Sequence, residues 1–169
     1  MPELQAHPHR EPERLRVSTE WTVNTDGGAR GNPGPGGAGI VIRDPSGAVV
    51  CRGGAFLGEV TNNVAEYEAL LWGLRAAGGL GARRVRVRAD SELVVKQMRG
   101  EYRVKNAGLK PLFLEAQSMR RRFDSISFEH VVRAENAEAD ALANEAMDGR
   151  IAVGDAPDPP CGRADTLFG

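Results

Sequence analysis

Four acidic residues, Asp26, Glu66, Asp90 and Asp140, stand in local contexts that can place them together. Asp26 closes the alternating stretch EWTVNTD and Asp90 closes RRVRVRAD; alternation of period two marks a β-strand. In a sheet flanked by helices, ligands collect at the carboxyl ends of the strands. Glu66 and Asp140 each fall in the first turn of a stretch with helical spacing, where a side chain can point back to that edge. Carboxylates gathered without basic partners repel one another, so their convergence calls for cations. Hard oxygen ligands suit Mg²⁺ or Mn²⁺, and two such ions about 4 Å apart support in-line displacement at a phosphodiester. Taken singly, each acid also has a structural explanation: a turn residue for Asp26, a capping-box partner for Glu66, a cap for the helix after Asp90, and a solvated helix face for Asp140.

The elements that must position these acids follow from the same periodicities. Residues 19–25 form a first strand, residues 27–37 a long glycine-rich loop, and residues 38–43 a second strand. Asp44-Pro45-Ser46-Gly47 carries strong turn chemistry, and residues 48–56 read as a third strand. Thr61, Asn62 and Asn63 offer N-cap residues for a helix over 64–77, with Glu66 placed three residues after Asn63 as in a capping box. Strand four covers 83–89, a short helix 92–98, a further helix 109–123 with Pro111 in its first turn, and strand five 125–132. Asn136 caps a last helix over 137–147. The order β-β-β-α-β-α-α-β-α predicts an α/β fold: a five-stranded mixed sheet, antiparallel meander plus parallel strands, with helices on both faces.

Composition narrows the class. A chain of 169 residues fits one domain with tails, here 18–149 between unstructured segments 1–17 and 150–169. With 22 basic and 23 acidic residues, any nucleic-acid partner must be met by local patches rather than by overall charge. Cys51 and Cys161 have neither disulfide-framework nor metal spacing, the first residues lack the apolar core of a signal peptide, and no apolar run reaches the ~20 residues that span a bilayer. The expected setting is the cytoplasm, without membrane contact.

The segments NTDGGARGNPGPGGAG, TNNVAEYEALLWGL, RADSELVVKQMRGEY and ENAEADALANEA, in that order and at these separations, resemble type 1 ribonuclease H over about residues 19–147. The resemblance implies the ribonuclease H-like fold and endonucleolytic hydrolysis of the RNA strand of an RNA–DNA hybrid, leaving 3′-hydroxyl and 5′-phosphate ends. It implies that Asp26, Glu66, Asp90 and Asp140 hold two Mg²⁺ ions, with Mn²⁺ as a substitute, and that Asp26 bridges both. Gly28, Ala29, Asn32, Asn62 and Asn63 are implied to line the substrate groove, and Thr61 to help bind a DNA-strand phosphate. The enzyme is expected to be a monomer.

Two departures stand out. Where many relatives carry a flexible-loop His, Arg133 occupies the corresponding place, and His130 continues strand five. Arg cannot act as a general base at neutral pH, but it can steer phosphate or product. Gly100 passes to Leu109 without the basic helix-and-loop insertion that some relatives use to grip substrate. Arg84, Arg86 and Arg88 share a strand face, read either as a positive track or as a surface paired to neighbouring acids. The final Leu167-Phe168 pair loosely resembles peptides that dock on bacterial sliding clamps. Competing functions are a non-catalytic hybrid-binding module, which four intact acids disfavour, and another two-metal phosphoesterase acting on duplex RNA or DNA.

Overall fold

The computed structural model describes residues 19–161. Strands β1 (Glu20–Ala29), β2 (Gly34–Arg43) and β3 (Val49–Val60) form the expected meander, followed by α1 (Asn62–Gly79), β4 (Arg84–Ala89), α2 (Glu92–Met98), α3 (Lys110–Arg120), β5 (Ser125–His130), a 3-10 turn (Arg133–Asn136), α4 (Ala137–Gly149) and β6 (Val153–Gly154). The turn between β2 and β3 is closed by the Gly47 amide donating to the Asp44 carbonyl and by Asp44 Oδ1 accepting from the Ser46 amide. Strand order is β5-β4-β1-β2-β3-β6, with β1, β4 and β5 parallel and the other pairings antiparallel.

The sheet therefore has six strands rather than five. The sixth comes from the segment expected to be unstructured beyond residue 150. Val153 and Gly154 pair with Gly54 and Gly53 on the edge of β3, Asp155 Oδ1 accepts from the Arg52 amide at 2.9 Å, and Trp72 Nε1 donates to the Pro157 carbonyl at 2.8 Å. Two residues of strand in an Asp- and Pro-rich stretch carry no periodic signal; the Asp155 carboxylate on the β3 backbone and the Trp72 indole of α1 order them instead. The 1–17 segment and the Leu167-Phe168 pair lie outside the described residues.

The glycine-rich segment also departs from expectation. The loop shrinks to residues 30–33, because β1 and β2 run through the glycines, pairing Asp26 with Gly39 and Gly28 with Gly37. Several of these glycines, among them Gly27, Gly37 and Gly39, serve close approach of a helix rather than turning. A Cβ on Gly27 would overlap the Ala65 carbonyl of α1, and one on Gly39 would overlap the Ala139 carbonyl of α4. Successive residues of a strand point to opposite faces, so Gly39 lies under α4 while Ile40 lies against Gly73 of α1. That places helices on both faces, as the sequence predicts.

The core is built from Val23, Ile40, Ile42, Tyr67, Leu70, Trp72, Leu74, Val87 and Phe128, with α1 buried along most of its length. At about 1.5–3 kcal/mol per large apolar side chain, this cluster supplies the main stabilising term and fixes α1 against the sheet.

Candidate active site

The parallel pairing of β1 with β4 ends at Thr25 and Ala89. Asp26 and Asp90 are the next residues of their chains, which sets them side by side where the two strands part. Glu66 reaches the same point from the first turns of α1. The true N-cap of that helix is Thr61, whose Oγ1 accepts from the Val64 amide at 3.3 Å, so Glu66 has no capping role. Its carboxylate instead accepts from the Gly27 amide. Likewise Ser91, not Asp90, caps α2 by accepting from the Val94 amide.

Carboxylate oxygens of Asp26, Glu66 and Asp90 lie within 4.8 Å of one another. Asp140, in the first turn of α4, lines the same cleft, which has a volume of about 350 Å³. Asp26 is only 7% exposed. Burial first, then the Asp90 and Asp140 carboxylates, pushes its carboxyl up to about 8. Burial, followed by Asp26 and Asp90, holds Glu66 well above the usual carboxylate range despite its bond from Gly27. Among the described residues, no ion pair neutralises Asp26, Glu66 or Asp90; Arg133 Nη2 stands 3.4 Å from Asp140 Oδ1. A set of hard oxygen donors, one buried and three half-buried, with so little compensating charge is compatible with a divalent cation.

Asn136 is the site residue whose role the sequence left hidden. Read as a cap, it makes no capping hydrogen bond. Its Nδ2 donates to the Thr25 carbonyl at 2.8 Å and to Asp90 Oδ1 at 3.3 Å, and its Oδ1 accepts from Asn24 Nδ2 at 3.1 Å. It ties α4 to the ends of β1 and β4.

The expected substrate contacts divide between two neighbouring hollows. Gly28, Ala29 and Asn62 line the acidic cleft with Arg133, while Asn32, Thr61 and Asn63 line a second one with Asn106 and Leu109. Asn62 Oδ1 accepts from the Ala29 amide at 2.8 Å, and Asn32 Oδ1 accepts from the Asn62 amide at 3.1 Å. The two asparagines thereby knit the β1–β2 turn to the start of α1. On β4, Arg86 pairs with Glu20 and Glu129, and Arg88 with Glu129 and Glu135, so that face is matched by acids. His130 ends β5, with its Nε2 3.2 Å from the Asp90 carbonyl oxygen.

The family described as reverse transcriptase-like matches residues 24–146. Ribonuclease HI of Halobacterium salinarum is 44% identical over 123 residues, which are 73% of this chain and 62% of that protein. The crystal structure of the enzyme from that archaeon superposes with a TM-score of 0.75 at 42% identity, covering 77% of this chain and 98% of that one. The chain belongs to the type 1 ribonuclease H family. Within the family, the Mycobacterium tuberculosis bifunctional protein Rv2228c is 47% identical over 128 residues, 75% of this chain but only 35% of its own length. This chain thus spans about a third of that relative and less than two thirds of the haloarchaeal one. LC11-RNase H1, isolated from compost by a metagenomic approach, has been crystallised with an RNA/DNA hybrid; that structure is 45% identical, with a TM-score of 0.73, and covers 77% of this chain and 98% of that one.

Proposed function

We propose that this chain is a ribonuclease H that hydrolyses the RNA strand of RNA–DNA hybrids, leaving 3′-hydroxyl and 5′-phosphate ends. The observation that carries the reading is the convergence of the Asp26, Glu66 and Asp90 carboxylates within 4.8 Å in a cleft that Asp140 also lines. Support comes from the hybrid-bound relative, which shares 45% of its residues with this chain.

The donor set fits Mg²⁺ or Mn²⁺: all four groups are carboxylates, and among the described residues the exposed Arg133 beside Asp140 is the one cation paired with any of them. Asp26, Glu66, Asp90 and Asp140 would hold two ions. Bound there, the ions supply an activated water at neutral pH and charge stabilisation for the leaving 3′-oxygen. The chain's own groups do the remaining work. The Gly27 amide and the Asn136 side chain orient Glu66 and Asp90 before any substrate arrives. Gly28 and Ala29 form a rim with little side chain, which admits a sugar–phosphate backbone close to the acids. A hybrid is read by shape, phosphates and 2′-hydroxyls, which the side-chain amides of Asn32, Asn62 and Asn63 and the hydroxyl of Thr61 can engage. Arg133, its side chain 78% exposed and beside Asp140, is placed to steer a phosphate or the departing product without acting as a base. The reading includes a monomer acting in the cytoplasm; among the described residues no helix is long and apolar enough to cross a membrane.

The deciding assay is cleavage of an end-labelled RNA–DNA hybrid with Mg²⁺ or Mn²⁺, run beside single-stranded RNA, duplex RNA and duplex DNA, with Asp90→Asn as control. Hybrid-selective cutting that the variant abolishes is expected. Tight hybrid binding without cutting would leave a binding module and overturn the proposal.

A further inference from the structure

A third cavity, of about 450 Å³, lies at the end of the sheet remote from the acids, where the last turns of α1 and α3 meet the chain entering β4. Asp90 follows β4 and this cavity precedes it; six strand residues put about 20 Å between them. The cavity floor is apolar, formed by Leu74, Met119 and Phe123, and its rim carries three guanidinium groups, from Arg75, Arg83 and Arg122. Arg83 is held by Asp124, with Nη2 2.7 Å from Oδ1. Arg75 and Arg122 have no carboxylate partner among the described residues. Gly78 and Gly79, at the end of α1, leave the wall bare: a Cβ at Gly79 would meet nothing within 4 Å, and one at Gly78 would touch only the Phe123 ring, at 3.8 Å.

We propose that this groove docks an acidic peptide segment of a partner protein, seating one large apolar side chain on the Leu74–Met119–Phe123 floor and setting its carboxylates against Arg75 and Arg122. The pairing of chemistries argues for it. An apolar hollow gains from burying a side chain, a bare rim lets a backbone approach, and guanidinium groups without partners favour carboxylates in bidentate geometry. A nucleic-acid strand is the poorer match. It needs a continuous phosphate track with presented stacking faces, whereas the one aromatic ring here, Phe123, is packed against the core. The site shares no residue with the acidic cleft, so docking does not depend on the proposed nuclease activity.

The test is fluorescence anisotropy on the full chain with a labelled peptide of four aspartates flanking one phenylalanine. The comparison probes are the same peptide with serine for phenylalanine, the same peptide with asparagines for aspartates, and a labelled single-stranded oligonucleotide. Saturable micromolar binding of the first peptide is expected, weakened at least about tenfold in both altered peptides. Arg75→Glu and Arg122→Glu should each weaken it about tenfold. Gly78→Leu, which fills the hollow without changing charge, should abolish it while hybrid cleavage and thermal unfolding stay unchanged. Equal binding of the serine peptide, or indifference to all three variants, would overturn the proposal. Preferential binding of the oligonucleotide, lost in the arginine variants, would replace it with a nucleic-acid surface. Self-association of the chain that the variants abolish would replace it with an interface between copies.

Discussion

The Asn136 side-chain amide donates to the Asp90 carboxylate at 3.3 Å and to the Thr25 carbonyl at 2.8 Å, while its oxygen accepts from Asn24. One buried residue thus fixes the start of α4 to the ends of two adjacent strands, and an acid of the cluster stands in, or directly after, each of the three. A group that orients a ligand from behind tunes the site without touching substrate.

Asn136→Ala is expected to cut hybrid cleavage about 10–100-fold, the usual effect of losing an orienting partner. It should also raise the Mg²⁺ concentration for half-maximal activity and cost about 1–3 kcal/mol of stability, because buried polar partners are left unmatched. Calorimetric titration of Mg²⁺ into the metal-free variant separates the two effects. A loss of stability with unchanged Mg²⁺ affinity would make Asn136 a purely structural residue.

The acid cluster makes the stability of the metal-free chain depend on pH in a defined direction. The Asp26 carboxyl, ordinarily at 3.8, is pushed up to about 8 by burial and by Asp90 and Asp140. Between those values the folded chain keeps a proton that the unfolded chain has released. The stabilisation is complete below the unfolded-state value and is lost as pH rises through about 8. Urea unfolding in EDTA should therefore show a midpoint that falls from pH 5 to pH 9. Asp26→Asn should flatten the slope and stabilise the chain at pH 8 by about 1–3 kcal/mol, since one of several crowded charges is removed. Parallel profiles for the two proteins would contradict this.

The two faces of the β1–β2 ribbon make opposite demands on its glycines. Gly39 lies under the α4 backbone, so Gly39→Ala should cost about 3 kcal/mol or prevent folding, as overpacking against a backbone that cannot yield does. At Gly28 a Cβ would meet nothing within 4 Å, so Gly28→Ala should change stability by less than about 0.5 kcal/mol. Because Gly28 lines the acidic cleft, the same variant should raise the KM for hybrid. Urea melts and steady-state kinetics on the pair check both halves.

What the sequence disclosed depended on how local the signal was. Period-two alternation in VRVRA and helical spacing from Ala65 to Ala77 located β4 and α1, and the acids at their ends could be read from those elements. The glycines between Gly27 and Gly39 misled, because turn-forming composition and close helix approach select the same residue; only the positions of α1 and α4 distinguish them. Asn136 was visible as an N-cap type at the right place, yet two of its three bonds run to residues more than a hundred positions earlier in the chain, which no local pattern encodes. The same holds for Glu66, whose apparent capping partner Asn63 yields to Thr61 once the helix starts two residues earlier.

The ordering of residues 153–157 rests on a few long-range contacts and is testable through one of them. Trp72 lies in the middle of α1 and donates its indole N–H to the Pro157 carbonyl, reaching past the Gly53 backbone of β3. Trp72→Phe keeps most of the buried ring but removes that donor, and a single such bond contributes about 1 kcal/mol. The segment should then leave the edge of β3 more often. Hydrogen exchange at the Asp155 and Ala156 amides, which donate to the Arg52 carbonyl at 2.9 and 3.0 Å, should accelerate about fivefold, the equivalent of that energy. Exchange at β1 and β4, and hybrid cleavage, should be unaffected, because the strap joins the sheet at the edge away from the acids. Acceleration spread over β1 as well would mean that β6 supports the whole sheet rather than sealing its rim.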